Sequence, residues 1–202
     1  MREAVLVLDM DFFTKPVFIG NFYEKKEVAN LLDFKGAAKT WMTLDDFLYK
    51  MHFQYKIRGA SVGKDHETLY YLQRMIDLGQ IRPKEFELIL LDAHHDSYIY
   101  HDKKRYDNLP ITEFRDWDWL LGTFKFGWVK EVTWVYPDYL DNRDPFRLEA
   151  FSKIHAKINP VKWSGFQPSK YEWKYFSLVL NKDMAVYNDK MLQGILQHIQ
   201  VF

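Results

Sequence analysis

The sequence predicts an α/β fold, a three-layer α/β/α sandwich built on a mostly parallel sheet, and two observations predict it. Short apolar runs of strand length alternate along the chain with stretches of ten or more residues whose apolar positions recur at helical intervals. The short runs are also apolar on both faces, as strands are when helices cover the sheet on either side. At 202 residues, with no internal repeat and no linker-like segment, the chain reads as a single domain spanning 1–202.

The elements follow in order. "AVLVL" at 4–8 is a buried strand. In "TLDDFLYKM" Thr43 and Asp46 have the spacing of a capping box, followed by Leu44, Phe47, Leu48 and Met51 on one helical face. "HETLYYLQRMIDLG" at 66–79 is an amphipathic helix stopped by Gly79. Pro83 marks a loop before the strand "FELILL" at 86–91. A helix is expected over "TEFRDWDWLLGTF" at 112–124, then a strand "EVTWVY" ending before Pro137. Asp144 and Pro145 look like an N-cap and first helical residue for "PFRLEAFSKIHAKI". A polar loop with Pro160 and Pro168 leads to the strand "YFSLVL" at 175–180, and a last helix covers "DKMLQGILQHIQ".

Composition narrows the function. Hydrophobic residues make up 48% and charged residues 28%, the proportions of an ordinary globular domain. The 28 basic residues are balanced by 28 acidic ones, so there is no electrostatic footprint for nucleic acid or for an anionic membrane. Cysteine is absent, which removes disulfides and thiolate metal sites and fits a reducing compartment. The N-terminal run is broken by Asp9 and Asp11, unlike a secretion signal, and no stretch is long enough to span a bilayer. A cytoplasmic protein is expected. Aromatic residues reach 18%, which a heavily aromatic core or an aromatic groove for a peptide would explain.

The chemistry-bearing residues lie where strands stop. "VLVLDMDFF" ends in Asp9 and Asp11, and "LILLDAHHD" ends in Asp92, His94 and Asp96. In extended backbone, residues two apart point the same way, so each cluster would project together. In open α/β sheets ligands bind beyond the carboxyl ends of the strands. Acids this close repel one another in a dry site unless a cation joins them. Carboxylates with imidazole suit manganese, iron or zinc, and an excess of acids over the needs of one ion points to two ions roughly 3.5–4 Å apart.

"LDAHHD" resembles the Asp-Ala-His-x-Asp motif of the arginase/agmatinase (ureohydrolase)–deacetylase superfamily. "GKDHETLYYLQRMIDLGQI" is similar to the segment in which a histidine of a Gly-Gly-Asp-His pattern supplies a ligand, and "LDMDFF" resembles the Asp-x-Asp pair that completes a dimanganese site. The style is most like the small peptide arginases of ribosomal-peptide biosynthesis, over most of residues 1–140. The resemblance implies an arginase–deacetylase-like fold and two Mn(2+) ions. One would be held by His66, Asp92, Asp96 and Asp9, the other by His94, Asp11, Asp92 and Asp9. It implies hydrolysis of arginine side chains in a precursor peptide to ornithine and urea. His101, in the loop after the strand, falls where such enzymes often keep acid–base residues. Three features depart from the pattern. The Asp-x-Asp motif opens the chain, Phe12 and Phe13 follow it, and Val62 and Lys64 alter the Gly-Gly-Asp-His run. A permuted strand order would still bring Asp9 and Asp11 beside the Asp92 strand.

Two further candidate catalytic residues are His95 and Glu67. His95 reads as a proton-transfer group or as a packed histidine. Glu67 reads as a partner for guanidinium or metal-bound water, or as a negative charge at a helix N-terminus. Two other functions compete. One is a haloacid-dehalogenase-like, magnesium-dependent phosphohydrolase using Asp9 and Asp11, and the other is a non-catalytic peptide-binding module.

Overall fold

The computed structural model describes residues 1–15, 39–53, 55–97, 103–140, 157–180 and 189–201. Seven strands form one sheet in which every pair is parallel, in the order β7-β6-β5-β1-β8-β4-β9. They are β1 (Arg2–Asp9), β4 (Ile57–Val62), β5 (Glu87–Leu91), β6 (Val132–Tyr136), β7 (Ile158–Lys162), β8 (Tyr171–Val179) and β9 (Ile199–Val201). A two-residue ladder joins β2 (Thr14–Lys15) to β3 (Lys39–Thr40). The helices are α1 (Leu44–Met51), α2 (Glu67–Asp77), α3 (Lys103–Asn108), α4 (Trp119–Lys125) and α5 (Asp189–Leu196).

Alternation along the central strands sorts the core into two clusters. Val5 and Val7 of β1, with Leu88 and Leu90 of β5, pack beneath Leu69 and Leu72 of α2 and Trp119 to Leu121 of α4. Ala4, Leu6 and Leu8, with Ile89 and Leu91, face the other way onto Phe47 and Met51 of α1 and Met191 and Ile195 of α5. Strands apolar on both faces thus sit between two helical layers, the expected α/β/α arrangement. Fully burying one such leucine or valine contributes about 1.5–3 kcal/mol. Both clusters are rich in aromatic residues, and in the second Phe12, Phe13, Phe47 and Trp163 make edge and stacked contacts at 5.0–5.7 Å.

Several sequence expectations hold in detail. Thr43 caps α1, its hydroxyl accepting the Asp46 N–H at 3.1 Å and donating to the Asp46 carboxylate at 2.6 Å. Gly79, at φ +68°, ends the α2 region in a conformation that costs a glycine nothing.

Others are corrected. The helix expected from Thr112 starts only at Trp119. Residues 111–113 form a 3-10 turn, Phe114 is extended, and the Asp118 carboxylate accepts the Arg115 N–H at 2.6 Å. The helix expected from Pro145 falls mostly outside the described residues, and its last position, Ile158, instead opens β7. That strand contains Pro160, tolerated because β7 is an edge. β4 is an unexpected strand. Its Gly59 lies so close to β8 that an added Cβ would sit 2.4 Å from the Phe176 carbonyl oxygen. β9 takes residues expected to end the last helix.

The strand order places the site. From β1 the chain crosses to β4 on one side, whereas from β5 it continues to β6 on the other. The gap between β1 and β5 is therefore a topological switch point, where a crevice opens at the carboxyl ends. Leu8 pairs with Leu91, so Asp9 and Asp92 emerge side by side at that crevice. No helix among the described residues is long and apolar enough to cross a membrane.

Candidate metal centre

Asp9 is the last residue of β1, and Asp11 lies in the 3-10 turn Met10–Phe13 that follows. The turn forms because the Asp9 carboxylate accepts the Asp11 N–H at 2.7 Å. Across the crevice the Asp92 carboxylate accepts the His94 N–H at 2.7 Å, an identical i-to-i+2 device that curls the chain as it leaves β5. The two turns interlock. Asp11 accepts the Ala93 N–H at 3.2 Å, and its other oxygen meets His94 Nδ1 at 2.9 Å.

The expected projection of alternate residues from extended strands is thus replaced by a different cause. The acids converge through side-chain-to-backbone hydrogen bonds in turns. Asp96 shows this most clearly, because its backbone is left-handed at φ +46°. Its carboxylate is set by the fully buried Trp119, whose indole N–H donates to it at 2.6 Å, and its carbonyl accepts the Leu120 N–H at 3.2 Å. A second indole, that of Trp134, donates to the Asp92 carbonyl at 3.1 Å.

Two sets of residues each bring their ligand atoms within 4.8 Å of one another, Asp11–Asp92–His94 and Asp9–Asp65–Asp92. Asp92 belongs to both. Asp65 is the residue that sequence reasoning missed. It is buried in the turn between β4 and α2 and shares a side-chain hydrogen bond with Asp9. Only its place before a helix marked it in the sequence, a position where acids are common.

His66 is not a member of either set. Its Nδ1 meets the Asp116 carboxylate at 2.5 Å, and its ring lies against Tyr70. Glu67 turns back onto its own loop, accepting the N–H of Gly63 at 2.6 Å and of Lys64 at 3.2 Å. That pairing braces the turn carrying Asp65 and leaves Glu67 a loop-closing role. His95 is buried, its Nδ1 bonded to Ser97 Oγ at 2.6 Å and its ring edge-on to Trp134. Burial lowers its pKa to about 3, so it is neutral and a poor base near neutral pH. His101 lies outside the described residues.

Electrostatics describe a crowded site. Asp9, Asp11, Asp65, Asp92 and Asp96 are all buried. Burial, reinforced by neighbouring carboxylates, pushes Asp9, Asp65 and Asp92 well above the usual carboxylate range. Burial also carries Asp96 up to about 7, against the opposing hydrogen bond from Trp119. Burial would raise Asp11 too, but the charge and hydrogen bond of His94 outweigh it and leave Asp11 low. Desolvation works against charge on His94, and Asp11 overcomes it, raising the imidazole to about 9. His94 is the most exposed of these site residues, with 42% of its side chain exposed.

No family model, curated protein or solved structure matches this chain. The likeness to ureohydrolases therefore rests on the sequence motifs alone.

The donor set fits divalent cations. Oxygen ligands with one imidazole suit manganese and iron, and a carboxylate shared by two ligand sets suits a bridged pair of ions. Five buried acids facing one imidazole is an arrangement that a bound cation relieves and water does not.

Proposed function

We propose that this chain is a divalent-metal hydrolase holding two Mn(2+) ions, which releases urea from arginine side chains of a precursor peptide and leaves ornithine. The observation that carries the reading is Asp92. This buried acid lies at the switch point and is shared by an Asp–Asp–His set and an Asp–Asp–Asp set of ligand atoms.

In this reading Asp11, Asp92 and His94 hold one ion, and Asp9, Asp65 and Asp92 hold the other, with Asp96 beside Asp92. When bound, the pair would lower the pKa of a water and so supply a hydroxide nucleophile near neutral pH. The chain's own residues supply the rest. His94 turns Nδ1 toward Asp11 at 2.9 Å and toward Asp92 at 3.8 Å, so Nδ1 is the nitrogen that would meet an ion held between these acids. Trp119 occupies one oxygen of Asp96 and so orients the other. Water adds to the guanidinium carbon, the bond from that carbon to the side-chain nitrogen breaks, and both water protons pass to the departing nitrogen, giving an ornithine ammonium and neutral urea. The exposure of His94 beside buried acids is in keeping with a side chain that reaches in from a peptide outside. A cytoplasmic setting is part of the same proposal, in keeping with a chain that has no cysteine.

Phosphohydrolysis by Asp9 and Asp11 with one magnesium is the competing reading, and it gives no task to Asp65 and His94, which complete the two ligand sets. The test is metal content by mass spectrometry of protein grown with manganese, followed by a urea assay on arginine peptides. Two ions per chain with urea release support the proposal. One magnesium ion with phosphatase activity, retained in an Asp92→Ala variant, would overturn it.

A further inference from the structure

Two aromatic residues stand beside the acids without belonging to the ligand sets. Trp41 lies just before α1, and Tyr139 lies three residues beyond the end of β6, the strand next to β5. Trp41 is anchored at the site by its indole N–H, which donates to the carbonyl of Phe12, the residue after Asp11. Its ring meets Phe12 edge-on at 5.6 Å and Tyr139 edge-on at 5.9 Å. Trp41 and Tyr139 are inclined at 71° to each other, so the two half-buried rings form a corner. The Tyr139 phenol lies within electrostatic reach of Asp11 and Asp92.

We infer that Trp41 and Tyr139 form a specificity wall that receives a planar, cationic side chain and guides it onto the acids. The inference rests on the hydrolase reading only for what happens to that side chain afterwards. A guanidinium group is flat and weakly hydrated, and it stacks on aromatic faces while its edge N–H groups seek oxygen acceptors. The corner offers a ring face, a phenol oxygen that accepts, and carboxylates just beyond. An ammonium group matches the charge but not the plane, and the urea-like group of citrulline matches the plane but not the charge.

The test uses the full chain with its metal and labelled peptides that differ at one position, arginine, citrulline or lysine, read by stopped-flow anisotropy immediately after mixing. The unaltered protein should prefer the arginine peptide to the citrulline peptide by about tenfold or more. Trp41→Leu should reduce that preference to about twofold, and Trp41→Phe, which keeps a ring, should retain most of it. Tyr139→Phe should fall between them, with metal content unchanged in all three. In the urea assay the loss should appear in KM, with kcat nearly constant. Equal binding of arginine and citrulline peptides by the unaltered protein, or a preference that Trp41→Leu leaves intact, would overturn the wall. An arginine preference that depends on Trp41 without urea release would retain the wall and reject the hydrolase. Urea release with a preference indifferent to both rings would do the reverse.

Discussion

The two ends of the same parallel sheet treat charge in opposite ways. At the amino end, charges meet in pairs near solvent. Arg2 reaches Glu87 at 2.6 Å, Lys157 pairs with Glu131, and Lys174 bridges Glu3 at 3.2 Å and Glu172 at 2.7 Å. At the carboxyl end five aspartates are buried together, and among the described residues the ion pairs reaching them come from His94. One end is neutralised by the chain itself. The other sets five acids against one imidazole, and in the proposed reading bound ions would neutralise it.

The largest effect should come from breaking the unbalanced end at its shared ligand. Asp92→Ala should remove bound manganese and lower urea release by at least about a thousandfold, read by mass spectrometry and a single-turnover assay. Retention of both ions would undo the comparison.

A second experiment separates the residue the structure favours from the one the motif favours. Asp65→Asn should lower metal affinity by about 10–100-fold, whereas His66→Ala should leave both ions in place. The reverse result would return His66 to the ligand set.

Acidity sharpens the contrast. Asp9, Asp65, Asp92 and Asp96 have folded-state pKa values above their unfolded ones, so the native metal-free chain keeps protons that the unfolded chain has released. Their contribution is fully present below about pH 4 and, for Asp96, is lost as pH rises through about 7. Asp11 is low and acts in the opposite sense at acid pH. The metal-free protein should therefore lose stability between pH 5 and about pH 7.5, while added manganese stabilises more strongly as pH rises. At a hundred times its dissociation constant the ion should contribute about 2.7 kcal/mol. Melting curves with manganese or with chelator across that pH range would reveal the gap, and a gap that closes with rising pH would contradict it.

The smallest effect belongs to the balanced end. Arg2→Ala should leave metal content and urea release unchanged, because an exposed, screened ion pair contributes little.

What the sequence made legible was the chemistry at the ends of continuous apolar runs. Asp9, Asp11, Asp92, His94 and Asp96 stood out because β1 and β5 are unbroken hydrophobic strands that stop at them. β4 was not legible, since Arg58, Gly59 and Ser61 interrupt its pattern. Its glycine answers a constraint imposed by β8, far along the chain. β7 carries a proline, and β9 is three residues long, too short for a periodic signal. Asp65 escaped for a related reason. Whether Asp65 or its neighbour His66 turns inward is decided by the turn after β4, by Glu67 gripping Gly63 and Lys64, and by Asp116 holding His66 aside. The contact that holds His66 aside comes from fifty residues along the chain and has no local signature. Trp119 likewise reads as a core residue, and its indole hydrogen bond to Asp96 emerges only in three dimensions.

The position of β1 also bears on how the molecule is made. Ala4 pairs with Glu87 on one side and Arg2 with Tyr171 on the other. During synthesis this greasy central strand leaves the ribosome early and must wait for β5, then far longer for β8, before both of its edges are covered. Pairings so distant in the chain form slowly and leave an unpaired edge open to aggregation in the meantime. The flank of the site formed by β8 and β4 closes only after β8 has arrived. Capture of the proposed ions would thus be a late event of folding, and uptake of metal by a growing chain would report the moment at which that centre is finished.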